Sequence, residues 1–288
     1  MAYLAFLTVC IVWGTTYLGI AVALESVPVL LVAGLRWMFA GVILSAFMLL
    51  SGRGLPGPRL WAPLALLGFL MNVMGNGLVV YAEQFVPSGL TAVLIATTPF
   101  WSALVESLLP SGERFSRRSL LGLSLGFSGI VVLVWPELTV GGAGGRQFII
   151  GVAAIQLACI GWVIGTSYAK RHPLGDDPFR SASLQMVFSG SMLLAAATVH
   201  GDWAHLAFTP RTLAAMLYLS AAGSIVAYSA YIYAIQHLPL QLVSLYAYIN
   251  PMIAVALGTV LLGEPFSMRI VVAAALVLAG TWIVSRRA

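Results

Sequence analysis

Long apolar runs alternate along the chain with short interruptions of glycine, proline and charge. A membrane-crossing helix needs about 20 mostly apolar residues. On that spacing the pattern predicts helices over residues 3–24, 28–50, 62–83, 87–109, 117–136, 148–170, 178–200, 211–235, 239–262 and 267–285. Strands of a membrane barrel would alternate apolar and polar positions over about 10 residues. Runs such as Ile253 to Leu262 and Ile270 to Leu278 do not alternate. The expected fold class is an all-α membrane protein with ten transmembrane helices.

Composition narrows the function classes. Of 288 residues, 60% are hydrophobic and 8% charged, with a mean hydropathy of +0.99. Soluble domains carry about 25% charged residues, so this chain cannot clothe a water-facing surface of its size. Ten helices use about 200 residues, which leaves too little for a soluble catalytic domain of about 100. Nucleic-acid binding is excluded on the same ground. Met1-Ala2-Tyr3 lacks the basic start of a secretory signal peptide, so the first run is expected to be a retained helix. Cys10 and Cys159 both fall inside apolar runs and read as small buried hydrophobes rather than a disulfide framework.

Charge sets the expected topology. Basic residues in short loops favour the cytoplasmic side. With the N-terminus inside, that side receives Arg53, Arg59, Arg114, Arg117, Arg118, Lys170, Arg171, Arg180, Arg286 and Arg287, and the far side Arg146, Arg211 and Arg269. Ten against three puts both termini in the cytoplasm.

The chain also repeats itself. Tyr81-Ala82-x-Gln84-x-x-Pro87 recurs as Tyr233-Ala234-x-Gln236-x-x-Pro239, and Pro99 as Pro251, at an offset of 152. Gly112-Glu113-x-Phe115-Ser116 recurs as Gly263-Glu264-x-Phe266-Ser267, and Gly129 as Gly280. Cys10-Ile11-x-Trp13 reappears as Cys159-Ile160-x-Trp162, and Gly14-Thr15-x-Tyr17 as Gly165-Thr166-x-Tyr168. The expected organisation is a first five-helix repeat over 1–140 and a second over 141–288, together one transport domain. Five is odd, so the second copy enters the membrane from the opposite side. Inverted repeats are the architecture of alternating-access carriers, with the substrate site near the midplane.

These residues resemble a known family. Trp13-Gly14-Thr15, Arg36-Trp37, the Pro99 and Pro251 helices and the two Gly-Glu loops are similar to the drug/metabolite transporter superfamily, in particular its ten-helix EamA-type exporters. The resemblance spans the whole chain. It implies a single ten-helix bundle that carries small metabolites, often amino acids and including aromatic ones, usually outward.

Candidate chemistry follows from polar and aromatic residues inside the runs. Gly68, Asn72, Asn76 and Val79 share one helical face. Ser220, Ser224, Tyr228 and Tyr231 are their partners at the same offset of 152. Polar groups in lipid are costly unless paired or wet, so this stripe is expected to face the interior, lining a cavity or hydrogen-bonding between helices. Pro99 and Pro251 each remove a backbone donor, with Thr98 and Asn250 just before them. Trp13, Trp37, Trp101 and Trp162 lie deep in helices, placed for lipid contact or core packing; alternatively Trp13, Trp101 and Trp162, with Tyr228, Tyr231 and Tyr246, form an aromatic wall for flat apolar ligands or cations. Arg36 reads as a structural clamp on Glu83 or on backbone carbonyls, or as a contact for a substrate carboxylate. Glu106 reads as a proton site or as a side chain snorkelling to the interface.

Several classes lack their equipment. The four histidines sit in or beside loops, Asp176, Asp177 and Asp202 are in loops, and neither a nucleophile elbow nor a phosphate-binding loop is present. The expected function is a secondary carrier in a bacterial inner membrane, with no enzymatic activity, cofactor, metal or obligate protein partner. Its partners are the lipid bilayer and a small molecule, an amino acid with aromatic ones favoured. The expected binding residues are Trp13, Asn72, Asn76, Thr98, Trp101, Trp162, Ser224, Tyr228, Tyr231, Tyr246 and Asn250. Few buried acids imply weak or absent ion coupling. The alternative cargo is an organic cation or drug, which would call on Glu106 or Glu83.

Overall fold

The computed structural model describes residues 1–108, 117–140, 143–172, 177–238 and 246–285. Among the expectations above, those on Glu113, Arg114, Asp176, Pro239, Arg286 and Arg287 lie outside the described residues. Within them the chain is helical and contains no strand. The elements are α1 (Ala2–Ala23), α2 (Val29–Leu50), α3 (Trp61–Leu67), a first π-helical segment (Gly68–Gly77), α4 (Leu78–Ala82), α5 (Ser88–Ile95), α6 (Thr98–Leu108) and α7 (Arg117–Val140). The second half has α8 (Ala143–Arg171), α9 (Pro178–His200), α10 (Pro210–Tyr218), a second π-helical segment (Leu219–Val226), α11 (Ala227–His237), α12 (Tyr246–Leu262) and α13 (Met268–Ser285). Two short 3₁₀ turns lie at Pro58–Leu60 and Asp202–His205. Among the described residues, seven helical stretches are long and apolar enough to cross a membrane, and Leu120–Val132, Ile249–Leu262 and Met268–Gly280 are shorter apolar helices.

Local chemistry explains the helix ends. Pro28 and Pro87 immediately precede α2 and α5, and Pro178 and Pro210 open α9 and α10, places where a missing donor costs nothing. The Asp177 carboxylate accepts from the backbone N–H groups of Phe179 at 2.9 Å and Arg180 at 3.4 Å. Gly201 closes α9 with φ of +85°, a left-handed conformation that glycine adopts without strain. Glu264 accepts from the N–H groups of Ser88 at 2.7 Å and Gly89 at 3.0 Å, so a carboxylate from the far end of the chain caps the positive end of α5.

Three features depart from the expected helices. α8 begins at Ala143, which places Arg146 on a helix rather than in an outer loop. The fourth expected helix is broken at Ala96 and Thr97 into α5 and α6. Pro99 has no N–H for the Ile95 carbonyl; the Thr98 hydroxyl takes that carbonyl at 2.6 Å, and Pro99 falls in the first turn of α6. The third and eighth expected helices widen into the two π-helical segments, an arrangement frequent at functional sites.

Helix packing rests on glycines at close crossings, as small residues allow in an apolar bundle. A Cβ on Gly41 of α2 would lie 2.6 Å from the Val187 nitrogen of α9, and one on Gly190 of α9 would lie 2.5 Å from the Met38 nitrogen of α2. The crossing is reciprocal in the numbering, since 187 − 38 and 190 − 41 are both 149. The α7–α13 crossing behaves alike: Gly129 faces the Ala273 carbonyl and Gly280 the Gly122 carbonyl, with 273 − 122 and 280 − 129 both 151.

Candidate binding cavity

Between these helices lies a cavity with about 740 Å³ of empty space, counting its opening. α1 contributes Trp13, Thr16, Tyr17 and Ile20, positions that share a helical face, and α2 contributes Arg36 and Trp37. Gly75, Asn76 and Val79 come from the first π-helical segment and α4, and Ile95 and Thr98 from the two sides of the broken helix. The second half of the chain adds Ala158, Cys159 and Trp162 of α8, Tyr228 of α11, and Tyr246 and Asn250 of α12. Six aromatic side chains therefore face one space.

The aromatic side is held by its own contacts. The Trp13 indole N–H donates to the Gly223 carbonyl at 3.2 Å, within the second π-helical segment. Its ring centroid lies 6.2 Å from Trp162 and 5.3 Å from Tyr246, both edge-on, and 5.1 Å from Tyr231. Separations of this kind suit aromatic attraction. Thr98 reaches Cys159 Sγ at 3.5 Å. The Asn250 amide, oriented so that its nitrogen donates, meets the carbonyls of Cys10 at 2.9 Å and Tyr246 at 3.1 Å. Residues beside the two prolines thus tie to the matching cysteines of α8 and α1.

Arg36 is the one charged group on the described wall, and only 2% of it is exposed. Its Nε–H donates to Ser224 Oγ at 2.8 Å, and one terminal N–H reaches Asn76 Oδ1 at 3.4 Å. The guanidinium carbon lies 5.0 Å from the centre of the Trp37 ring, within range of a cation–π contact. Gly223 makes room for it: a Cβ there would stand 3.2 Å from the guanidinium and 2.9 Å from the Thr16 methyl. The clamp on Glu83 expected from the sequence is not formed. Among the described residues no carboxylate makes an ion pair with Arg36, and both Glu83 oxygens are shielded without a hydrogen-bond partner. Arg36 has turned instead toward the two neutral acceptors that the π-helical segments present.

Seven of the residues singled out in the sequence meet at this wall: Trp13, Asn76, Thr98, Trp162, Tyr228, Tyr246 and Asn250. Ser224 and Tyr231 stand just behind it, against Arg36 and against Trp13 with Tyr246. Two others sit elsewhere. Asn72 donates to Ser189 at 3.1 Å between the first π-helical segment and α9, and Trp101 donates to Gln156 at 2.9 Å with its ring edge-on to Phe127. Glu106 is bound to Arg171 through contacts of 2.7 and 3.2 Å and accepts from Ser167 at 2.9 Å. The sequence reading passed over Thr16, Tyr17 and Ile20, which the one-turn spacing from Trp13 would have found.

Residues 1–135 and 149–286 each match the model of the EamA-like transporter family. The chain is 35% identical over 266 residues to an Escherichia coli K12 protein described as "Uncharacterized inner membrane transporter YedA", covering 91% of this chain and 83% of that one. It is 26% identical to a Salmonella typhimurium protein described as "Probable amino-acid metabolite efflux pump", over 98% of this chain and 93% of the other. One solved crystal structure shares the fold with a TM-score of 0.66 at 17% identity, covering 98% of this chain and 95% of its own.

Proposed function

The chain belongs to the EamA-like transporter family, and from that premise we propose an alternating-access carrier that exports small neutral or zwitterionic metabolites, amino acids first and aromatic ones in preference. The observation that carries this reading is the cavity itself: six aromatic side chains and the polar ends of Asn76, Thr98 and Asn250 converge from both halves of the chain. Trp13, Trp162, Tyr228 and Tyr246 supply stacking surface, and Asn76, Thr98 and Asn250 polar contacts. Ten membrane helices in two inverted repeats, 1–140 and 141–288, with both termini cytoplasmic, complete the proposal. The reciprocal glycine crossings and the doubled family match support it. The descriptions of the two relatives support an inner-membrane location and an amino-acid cargo.

An organic-cation exporter of the same fold is the weaker reading, because the described wall carries a guanidinium and no carboxylate. The test is uptake of radiolabelled tryptophan, leucine and glutamate into liposomes holding the purified protein. Tryptophan should enter fastest, and Trp162→Ala should slow it by about tenfold, the loss of about 1.4 kcal/mol of aromatic contact. Equal rates for the three amino acids, unchanged in Trp162→Ala, would remove the aromatic preference.

A further inference from the structure

The cavity holds a guanidinium that makes no ion pair within the described structure. A guanidinium offers five N–H donors in a planar fork. Two are committed, one to Ser224 at 2.8 Å and one to Asn76 at 3.4 Å. The other three have no partner among the described residues, and the side chain lines the cavity. Both acceptors it does have are neutral. The nearby Glu83 carboxyl is shielded and makes no ion pair with it. Burying a cation without an ion-pair partner is expensive, and a planar fork with open donors is the side chain best matched to a carboxylate.

We propose that Arg36 is the anchor for a substrate carboxylate, and that the cavity accepts aromatic monocarboxylates lacking an amino group as well as it accepts amino acids. The second part follows from charge. The described wall has one positive group and no carboxylate, so a monocarboxylate neutralises it, whereas the ammonium of an amino acid finds only amide, hydroxyl and ring faces. Trp37, under the guanidinium, and Trp13, Tyr246 and Trp162, packed together, leave an apolar aromatic body beside that anchor. This rests on the reading of the cavity as the transport site.

The experiment removes one charged group of tryptophan at a time. Indole-3-propionate lacks the ammonium and tryptamine lacks the carboxylate. Each is offered as a competitor of radiolabelled tryptophan uptake in liposomes holding the wild-type protein, which avoids any folding defect. Indole-3-propionate should compete within about threefold of unlabelled tryptophan, and tryptamine should be at least tenfold weaker. Arg36→Gln, checked for an unchanged melting profile in detergent, should lose this discrimination through a tenfold or larger loss for both carboxylates. If tryptophan is carried but tryptamine competes as well as indole-3-propionate, the Arg36 proposal is overturned and the transport reading stands. If the wild-type protein carries no tryptophan and binds none of the three, both fall.

Discussion

Two regions of the polar layer invite comparison. On α2, Arg36 donates to Asn76 at the end of the first π-helical segment. On α9, Gln185 accepts from Tyr228, just past the second, at 3.5 Å. The numbering relates them as it relates the helices around them: 185 − 36 is 149, the separation of the reciprocal α2–α9 glycine contacts, and 228 − 76 is 152, the separation of the repeated prolines. The two contacts occupy corresponding places in the numbering, and the charge is present on one. Gln185 shows that a shorter, neutral side chain fills the corresponding place, its Nε2–H donating to the Met71 Sδ at 3.7 Å. Packing therefore does not demand a cation at Arg36, and its charge is left for recognition. A second difference sits beside the first. Pro99 accompanies a broken helix, while Pro251 lies within the continuous α12. The Thr98 side answers its proline within its own turn through the Ile95 carbonyl, and the Asn250 side reaches across to α1.

The strongest way to break this comparison is to charge the neutral side. Gln185→Arg would place a guanidinium in a site that is 4% exposed and faces a thioether and a phenol. An uncompensated buried charge costs about 3–5 kcal/mol, so the solubilised variant should melt far below the wild type. An unchanged melting temperature would mean that the two sides are interchangeable in charge. The reciprocal crossing gives the next largest effect. Gly41→Ala and Gly190→Ala each push a methyl group to about 2.5 Å from a backbone nitrogen of the facing helix. Overpacking of this kind costs about 1–3 kcal/mol, and the two variants should lose comparable stability in the same thermal assay. A loss confined to one of them would end the reciprocity. The smallest effect concerns the cap on α5. Glu264→Ala withdraws two hydrogen bonds from the Ser88 and Gly89 nitrogens and should cost about 1 kcal/mol. Faster amide hydrogen exchange confined to the start of α5 is the expected signature, and unchanged exchange there would show that the carboxylate does not hold that end.

Much of the architecture was legible because it depends on one-dimensional properties. The apolar run from Val29 to Leu50 is as long as a bilayer is thick and begins after a proline, so α2 follows from its own residues. The polar stripe of helix three was legible only in part: Asn76 and Val79 reach the cavity wall, while Asn72 of the same stripe binds Ser189 instead. Depth within a run was less informative. Trp101 and Trp162 are both deep tryptophans, yet Trp162 meets Trp13 at the cavity and Trp101 binds Gln156 away from it. Which side a tryptophan faces depends on the rotation of its helix against its neighbours, and a break at Ala96 and Thr97 or a π-helical turn resets that rotation.

The sequence by itself determined that this chain is built of apolar helices, that its motifs occur twice, and that its interior polar groups are few. Those properties reside in run length, spacing and composition, and no distant contact is needed to read them. Tertiary structure alone decided that Arg36 meets Ser224 and Asn76 rather than Glu83. Residues 36 and 224 are far apart in the chain, and their meeting depends on where the π-helical segment sets Ser224 and on the space that Gly223 leaves beside it. Pairing across helices is settled by packing geometry, which a linear pattern of polar and apolar positions does not contain.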